Sequence, residues 1–132
     1  MSAAPVTVIS FGYLHGPAPA EAHAVFDVRH HFRDPHISPA LRSLTAADEP
    51  IVTAVLSTPG VAGLIESVAA AARAFRAGPC SAPLVIAVGC AGGRHRSAVI
   101  AAEVSRQLRA EGIPVTLAHR DITRPVVARE AS

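Results

Sequence analysis

The stretch Leu84-Val85-Ile86-Ala87-Val88-Gly89-Cys90-Ala91-Gly92-Gly93-Arg94-His95-Arg96-Ser97 changes character twice, and those changes decide the fold. The apolar run Leu84 to Val88, bounded by Pro83 and Gly89, predicts a short buried strand. From Ser97 onward Ile100, Val104 and Leu108 recur at i, i+4 and i+8 with Glu103, Arg106 and Arg109 between them, the pattern of an amphipathic helix. Strand, glycine turn and helix together predict an anion cradle. Glycines let backbone N–H groups face a ligand without side chains in the way, and the new helix adds unpaired N–H groups and a positive dipole end. Arg94, His95, Arg96 and Ser97 project into the same turn. A guanidinium grips two oxygens of one phosphate through charge-assisted bonds of about 1.5–3 kcal/mol each, and the dipole adds about 0.3–1 kcal/mol. A phosphate ester is the expected guest.

Composition narrows the class. The 132 residues suffice for one core, so a single domain 1–132 is expected, with its core over about 6–124 and a frayed tail at 125–132. Half of the residues are hydrophobic and 17% charged, which is globular rather than disordered. With four Phe and one Tyr, the core is expected to be helix-rich and built from small side chains. No apolar run approaches the roughly 18 residues of a membrane span, and Met1-Ser2-Ala3-Ala4-Pro5 lacks the order of a signal peptide; a cytoplasmic protein with no membrane partner is expected. Cys80 and Cys90 make neither a disulfide framework nor a Cys-x-x-Cys site, and neither metal nor cofactor is expected. A net charge of +2 is too mild to hold nucleic acid by itself. All twelve basic residues are arginine; codon bias accounts for most, and fit to phosphate for the few in the loop.

Taken in order, Val6 to Ser10 predicts a strand ended by Phe11-Gly12, and Tyr13 to Pro19 a Gly/Pro loop. Glu21 to Ala24 reads as one helical turn before a second strand, Val25 to Val28. Arg29-His30-His31-Phe32-Arg33-Asp34-Pro35-His36 is a polar surface loop with no apolar period. Thr45 or Asp48 caps a helix over Glu49 to Ser57, with Pro50 suited to its first turn. Val61, Leu64, Ile65, Val68, Ala72 and Phe75 form the apolar stripe of a longer helix that Gly78-Pro79 ends. Glu111-Gly112 stops the helix after the glycine loop, and Val115 to His119 is a last strand. The expected fold class is α/β: a small, mainly parallel sheet sandwiched by helices, because the strand–helix–strand unit at 84–119 demands a crossover. Ligand loops of such sheets follow the carboxyl ends of strands, which would bring the polar loop and the glycine loop to one crevice.

These residues carry a resemblance. Gly89-Cys90-Ala91-Gly92-Gly93-Arg94-His95-Arg96-Ser97, with Ser10-Phe11-Gly12-Tyr13, Gly16, Val25-Phe26-Asp27-Val28-Arg29, Asp34-Pro35-His36, Leu44-Thr45, Asp48, Pro50 and His119-Arg120-Asp121, is similar in content and order to the C-terminal domain of the RNase adapter protein RapZ family. The resemblance spans residues 6 to 124 and implies a phosphofructokinase-like α/β sandwich. It also implies a phosphosugar pocket for glucosamine 6-phosphate, with Gly92, Gly93, His95, Arg96 and Ser97 on the phosphate and Asp27, Arg29 and His36 bordering the same pocket, His36 and Asp27 suited to sugar hydroxyls or an amine. Ala91 stands where the family usually has Thr, removing one hydroxyl donor. No Gly-x-x-x-x-Gly-Lys-Ser/Thr motif is present, so the chain is read as a stand-alone domain without the family's N-terminal nucleotide-binding domain. The resemblance further implies metabolite sensing, small regulatory RNA and an endoribonuclease as partners, and a homo-oligomer.

Other readings compete for the same residues. Cys90 and Arg96 have the Cys-x5-Arg spacing of cysteine-dependent phosphatases, with Asp27, Asp34 or Asp121 as candidate acids, and a helix N-terminus among arginines would favour a thiolate. Against this, free cysteine is most often a small buried residue. His30 and His31 with His36 or Asp34 make a weak metal set, since loop histidines are usually solvated. Arg33, Arg42, Arg120 and Arg124 are candidates for an RNA face, but a chain without Trp has few stacking platforms. Phosphosugar binding leads, and turnover is not expected.

Overall fold

The computed structural model describes residues 4–32 and 46–125. Four strands, β1 (Val6–Gly12), β2 (Ala24–Asp27), β3 (Leu84–Cys90) and β4 (Val115–His119), form one sheet in the order β2-β3-β1-β4. Every pairing is parallel. Helices α1 (Glu49–Leu56) and α2 (Val61–Ala77) fill the β2-to-β3 connection, and α3 (Arg96–Ala110) carries the chain from β3 across β1 to β4.

Alternation along the strands assigns the two faces. Val6, Val8, Leu84, Ile86, Val88 and Cys90 join Ile51, Ile65, Val68, Ala72, Ile100, Val104 and Leu108 in one core between sheet and helices. The intervening Thr7, Ile9, Val25 and Thr116 are half-buried or exposed. The α/β class expected from the sequence is present: among the described residues α1, α2 and α3 pack against one another and against one face of the parallel sheet. The outer face meets the β1-to-β2 crossover instead. There Ile9, Pro19, Glu21, Ala118, His119 and Arg120 line an open hollow of about 350 Å³.

Several boundaries move. β1 and β3 each run two residues past the apolar stretch, because Phe11 pairs with Gly89 and Gly12 with Cys90. The glycine turn therefore begins at Ala91. Gly89 must be glycine for reasons of space: a Cβ there would sit 2.4 Å from Phe11 Cζ and 2.7 Å from Tyr13 Cε2. Tyr13–His15 is a 3-10 turn rather than open loop, and Ala24 opens β2 rather than closing a helical turn. Phe75 leaves the apolar stripe of α2, standing 49% exposed beside His23. Val61, Ile65, Val68, Ala69 and Ala72 make the buried face. Gly78 ends α2 in extended backbone before Pro79, while Gly112 follows α3 at φ 81°, in the left-handed region that favours glycine. Because all strands are parallel, Gly12, Asp27, Cys90 and His119 finish at the same end of the sheet, and the crevice lies there.

Candidate functional site

The turn after β3 is pinned from below. Gly93 takes φ 78° and donates its N–H to Cys90 Sγ at 3.2 Å. Cys90 Sγ is also 3.1 Å from Ser97 Oγ, which donates to the Phe11 carbonyl at 3.2 Å. Cys90 is buried, 3% exposed, with its sulfur engaged by the Gly93 N–H and the Ser97 hydroxyl. An attacking thiolate needs open approach to phosphorus, which the burial of Cys90 does not favour. Ser97, fully buried, braces the loop from beneath, and Ala91 is buried beside it.

Arg96 also departs from the expected clamp. Its Nη1 donates to the carbonyls of Val28 and Arg29 at 3.1 and 3.0 Å, tying the start of α3 to the end of β2. Internal partners are the rule for arginine here. Arg73 meets Glu66 and Glu111, Arg106 meets Glu103, Arg76 donates to the Ala4 carbonyl and Arg109 to that of Val115. Arg120 donates to Pro17, Gly16 and Gly12 carbonyls and to Asp121, and Arg124 pairs with Asp121. Arg120 is part-buried over these acceptors, Arg124 stays exposed while paired with Asp121, and Arg33 and Arg42 lie outside the described residues. The exception is Arg94, in the glycine turn: its Nε is buried and has no hydrogen-bond partner among the described residues.

At the end of β2 the Asp27 carboxylate takes Arg29 Nε at 3.0 Å and Nη2 at 2.6 Å, and the Arg29 guanidinium lies 3.7 Å from the centre of the Tyr13 ring. The hydrogen bonds from Arg29 hold the Asp27 carboxyl below its ordinary value. Burial, and then the Asp27 charge, push the Tyr13 phenol up. Tyr13 escapes sequence reading because a lone aromatic in a Gly/Pro loop carries no periodic signal. His36 and Asp34 lie outside the described residues; His30 and His31 are within them.

The end of β4 supplies the last wall. Ser10 Oγ lies 2.6 Å from His119 Nδ1, and burial holds His119 below the usual histidine value. Asp121, fully buried, accepts the Gly12 N–H at 2.8 Å and Arg120 Nε at 3.0 Å. Burial by itself raises the Asp121 carboxyl, but these bonds outweigh it and the net shift is downward. Gly12 closes against the turn so tightly that a Cβ on it would lie 2.4 Å from Gly92 C and 2.6 Å from Gly93 N. Among the described residues nothing stands within 4 Å of a Cβ built on Gly92, so they leave that side of the turn open.

A sequence profile described as the RapZ C-terminal domain matches residues 4–123, which contain the glycine turn, the Asp27–Arg29 pair and the His119-Arg120-Asp121 segment. The chain belongs to the RapZ C-terminal domain family. Relatives described as nucleotide-binding proteins include one from Leifsonia xyli subsp. xyli, 42% identical over 123 residues, or 90% of this chain and 41% of the relative. One from Thermobifida fusca is 38% identical over 120 residues, covering 89% and 40% of the two chains. One from Moorella thermoacetica is 38% identical over 124 residues, covering 90% and 40%. The chain thus spans about 40% of the length of the curated relatives it matches. A RapZ C-terminal domain is a regulatory or binding module, and among its described residues no single helix is long and apolar enough to cross a membrane.

Proposed function

We propose that this RapZ C-terminal domain binds a phosphorylated small molecule, an amino-sugar phosphate of the glucosamine 6-phosphate kind, on the glycine turn Ala91–His95, and that occupancy is read out as sensing or adapter activity. One observation carries the reading: among the described arginines, each of the others has an internal acceptor, whereas Arg94 holds a buried, unpartnered N–H in a turn whose Gly92 face is open. A buried donor without an acceptor is costly, and an oxyanion relieves it. The start of α3, where His95 provides no side-chain cap, adds a positive dipole end on the same side. Asp27, exposed at the neighbouring strand end, is suited to a hydroxyl or ammonium group.

In this reading Arg94, His95 and the backbone of Gly92 face the phosphate, Asp27 and Arg29 the sugar, and Ser97, Cys90 and Arg96 support the loop. His36 keeps its place as a proposed sugar contact. RNA, an endoribonuclease and a homo-oligomer remain partners proposed from the family. Calorimetry with glucosamine 6-phosphate, glucosamine and inorganic phosphate tests it. Both phosphates are expected to bind, the sugar phosphate more tightly, and Arg94→Gln to weaken both about tenfold; folded protein giving no heat with any of them ends the reading.

A further inference from the structure

The fully buried Asp121 carries more bonds than filling space requires. Its Oδ2 accepts the Gly12 N–H at 2.8 Å and the Arg120 guanidinium at 2.9–3.0 Å, while Arg124 Nε comes within 3.0 Å of Oδ1 as a charge contact rather than a directed bond. Burying a carboxylate is unfavourable unless cations and N–H groups compensate, and an apolar residue would fill the same volume more easily. What an apolar residue could not do is hold an amide. The amide held is that of Gly12, and a Cβ built on Gly93 would lie 2.8 Å from Gly12 N and 3.0 Å from Asp121 Cβ. Asp121 and Gly12 therefore form the floor on which the left-handed turn at Gly93 rests. Through Arg120, the same carboxylate also orients a guanidinium donating to Gly16 and Pro17, on the segment that carries Tyr13 to the mouth of the crevice.

We infer that Asp121 is the positioning residue of the glycine turn: its carboxylate fixes the Gly12 amide and Arg120, and these set the depth of the turn that receives the ligand. Touching no ligand, it acts through Gly12. The inference rests on the anion-binding reading above for its functional consequence, while its structural half stands separately.

The test compares wild type, Asp121→Ala and Asp121→Asn by amide hydrogen exchange and by titration with inorganic phosphate. Asp121→Ala is expected to speed exchange at Gly12 and Gly93 at least tenfold, with the buried α2 amides between Ile65 and Ala72 within twofold of wild type, and to weaken phosphate at least tenfold. Asp121→Asn, which keeps a neutral acceptor for Gly12, is expected to lie between the two and decides the matter should the alanine variant not fold. A merely structural role moves all amides in step, and that result overturns the inference. So does unchanged exchange at Gly12, or a loosened turn with unchanged phosphate affinity. Should wild type bind no phosphate, the ligand reading falls by itself, and the contrast between Gly12 and α2 exchange still decides whether Asp121 holds the turn.

Discussion

Replacing Gly12 by Ala asks whether the end of β1 and the glycine turn touch as closely as described. Gly12 has φ −120° and ψ 125°, extended backbone that alanine adopts freely, so conformational strain contributes nothing. At such a position Gly→Ala ordinarily stabilises by about 0.4–1 kcal/mol, because the unfolded chain loses freedom. Here the added Cβ would sit 2.4 Å from Gly92 C, 2.6 Å from Gly92 O and 2.6 Å from Gly93 N. All three are backbone atoms of a turn anchored by Cys90, Gly12 and Asp121, so none yields cheaply. Overpacking of this kind costs about 1–3 kcal/mol and occasionally more, and the clash outweighs the entropic gain. A net loss of about 2 kcal/mol is expected, roughly 8 °C in Tm for a domain of this size. Gly92→Ala is the internal control: its φ is not positive and no described residue lies within 4 Å of the added Cβ, so the ordinary gain of about 0.4–1 kcal/mol is expected. Urea unfolding followed by circular dichroism measures both. Equal effects from the two substitutions, or Gly12→Ala within 0.5 kcal/mol of wild type, refutes the reasoning. In the proposed site the Gly92 methyl group points where the anion sits, so that variant is expected to be stable yet weaker for phosphate.

Arg96→Ala removes two part-buried bonds to the Val28 and Arg29 carbonyls and is expected to cost about 2 kcal/mol; urea unfolding with a loss under 0.5 kcal/mol shows that β2 and α3 are not tied there. Thiol alkylation of native protein is expected to label exposed Cys80 quickly and to spare Cys90 until urea is added, and equal native rates would contradict the buried thiol. His119 is held below the ordinary histidine value by burial, so its neutral form belongs to the fold. As pH falls through about 6.5 the unfolded chain takes a proton that the folded one refuses, so stability declines from there until the folded group titrates. The His119 NMR midpoint is expected below 6.5, and unfolding at pH 7.5 and 5.5 is expected to show a smaller decline in His119→Gln than in wild type; a midpoint above 6.5 reverses the sign and removes the argument.

How much of this was legible depends on whether each signal is local. The span Val115–His119, the stop at Gly78-Pro79, the helix after the glycine turn and the turn itself follow from apolar spacing and from residues that end helices, all within a few positions of one another. Phe75 misled because it keeps helical spacing while standing one turn past the residues that the sheet and α3 cover. The Cys-x5-Arg spacing is silent in a similar way: it places a thiol and a guanidinium near one turn without saying which way either points.

By itself, then, the sequence determined the elements, the α/β class, the glycine turn and the family. Only the tertiary structure decided who holds whom. Gly12 meets Asp121 across 109 residues, and Arg96 meets Val28 and Arg29 across 68 and 67. Those pairings follow from the strand order β2-β3-β1-β4, which brings the strand ends together. A guanidinium or carboxylate takes whichever compatible group the packed sheet sets within about 3 Å, and a donor such as Arg94 is left without one because of where that same packing puts it.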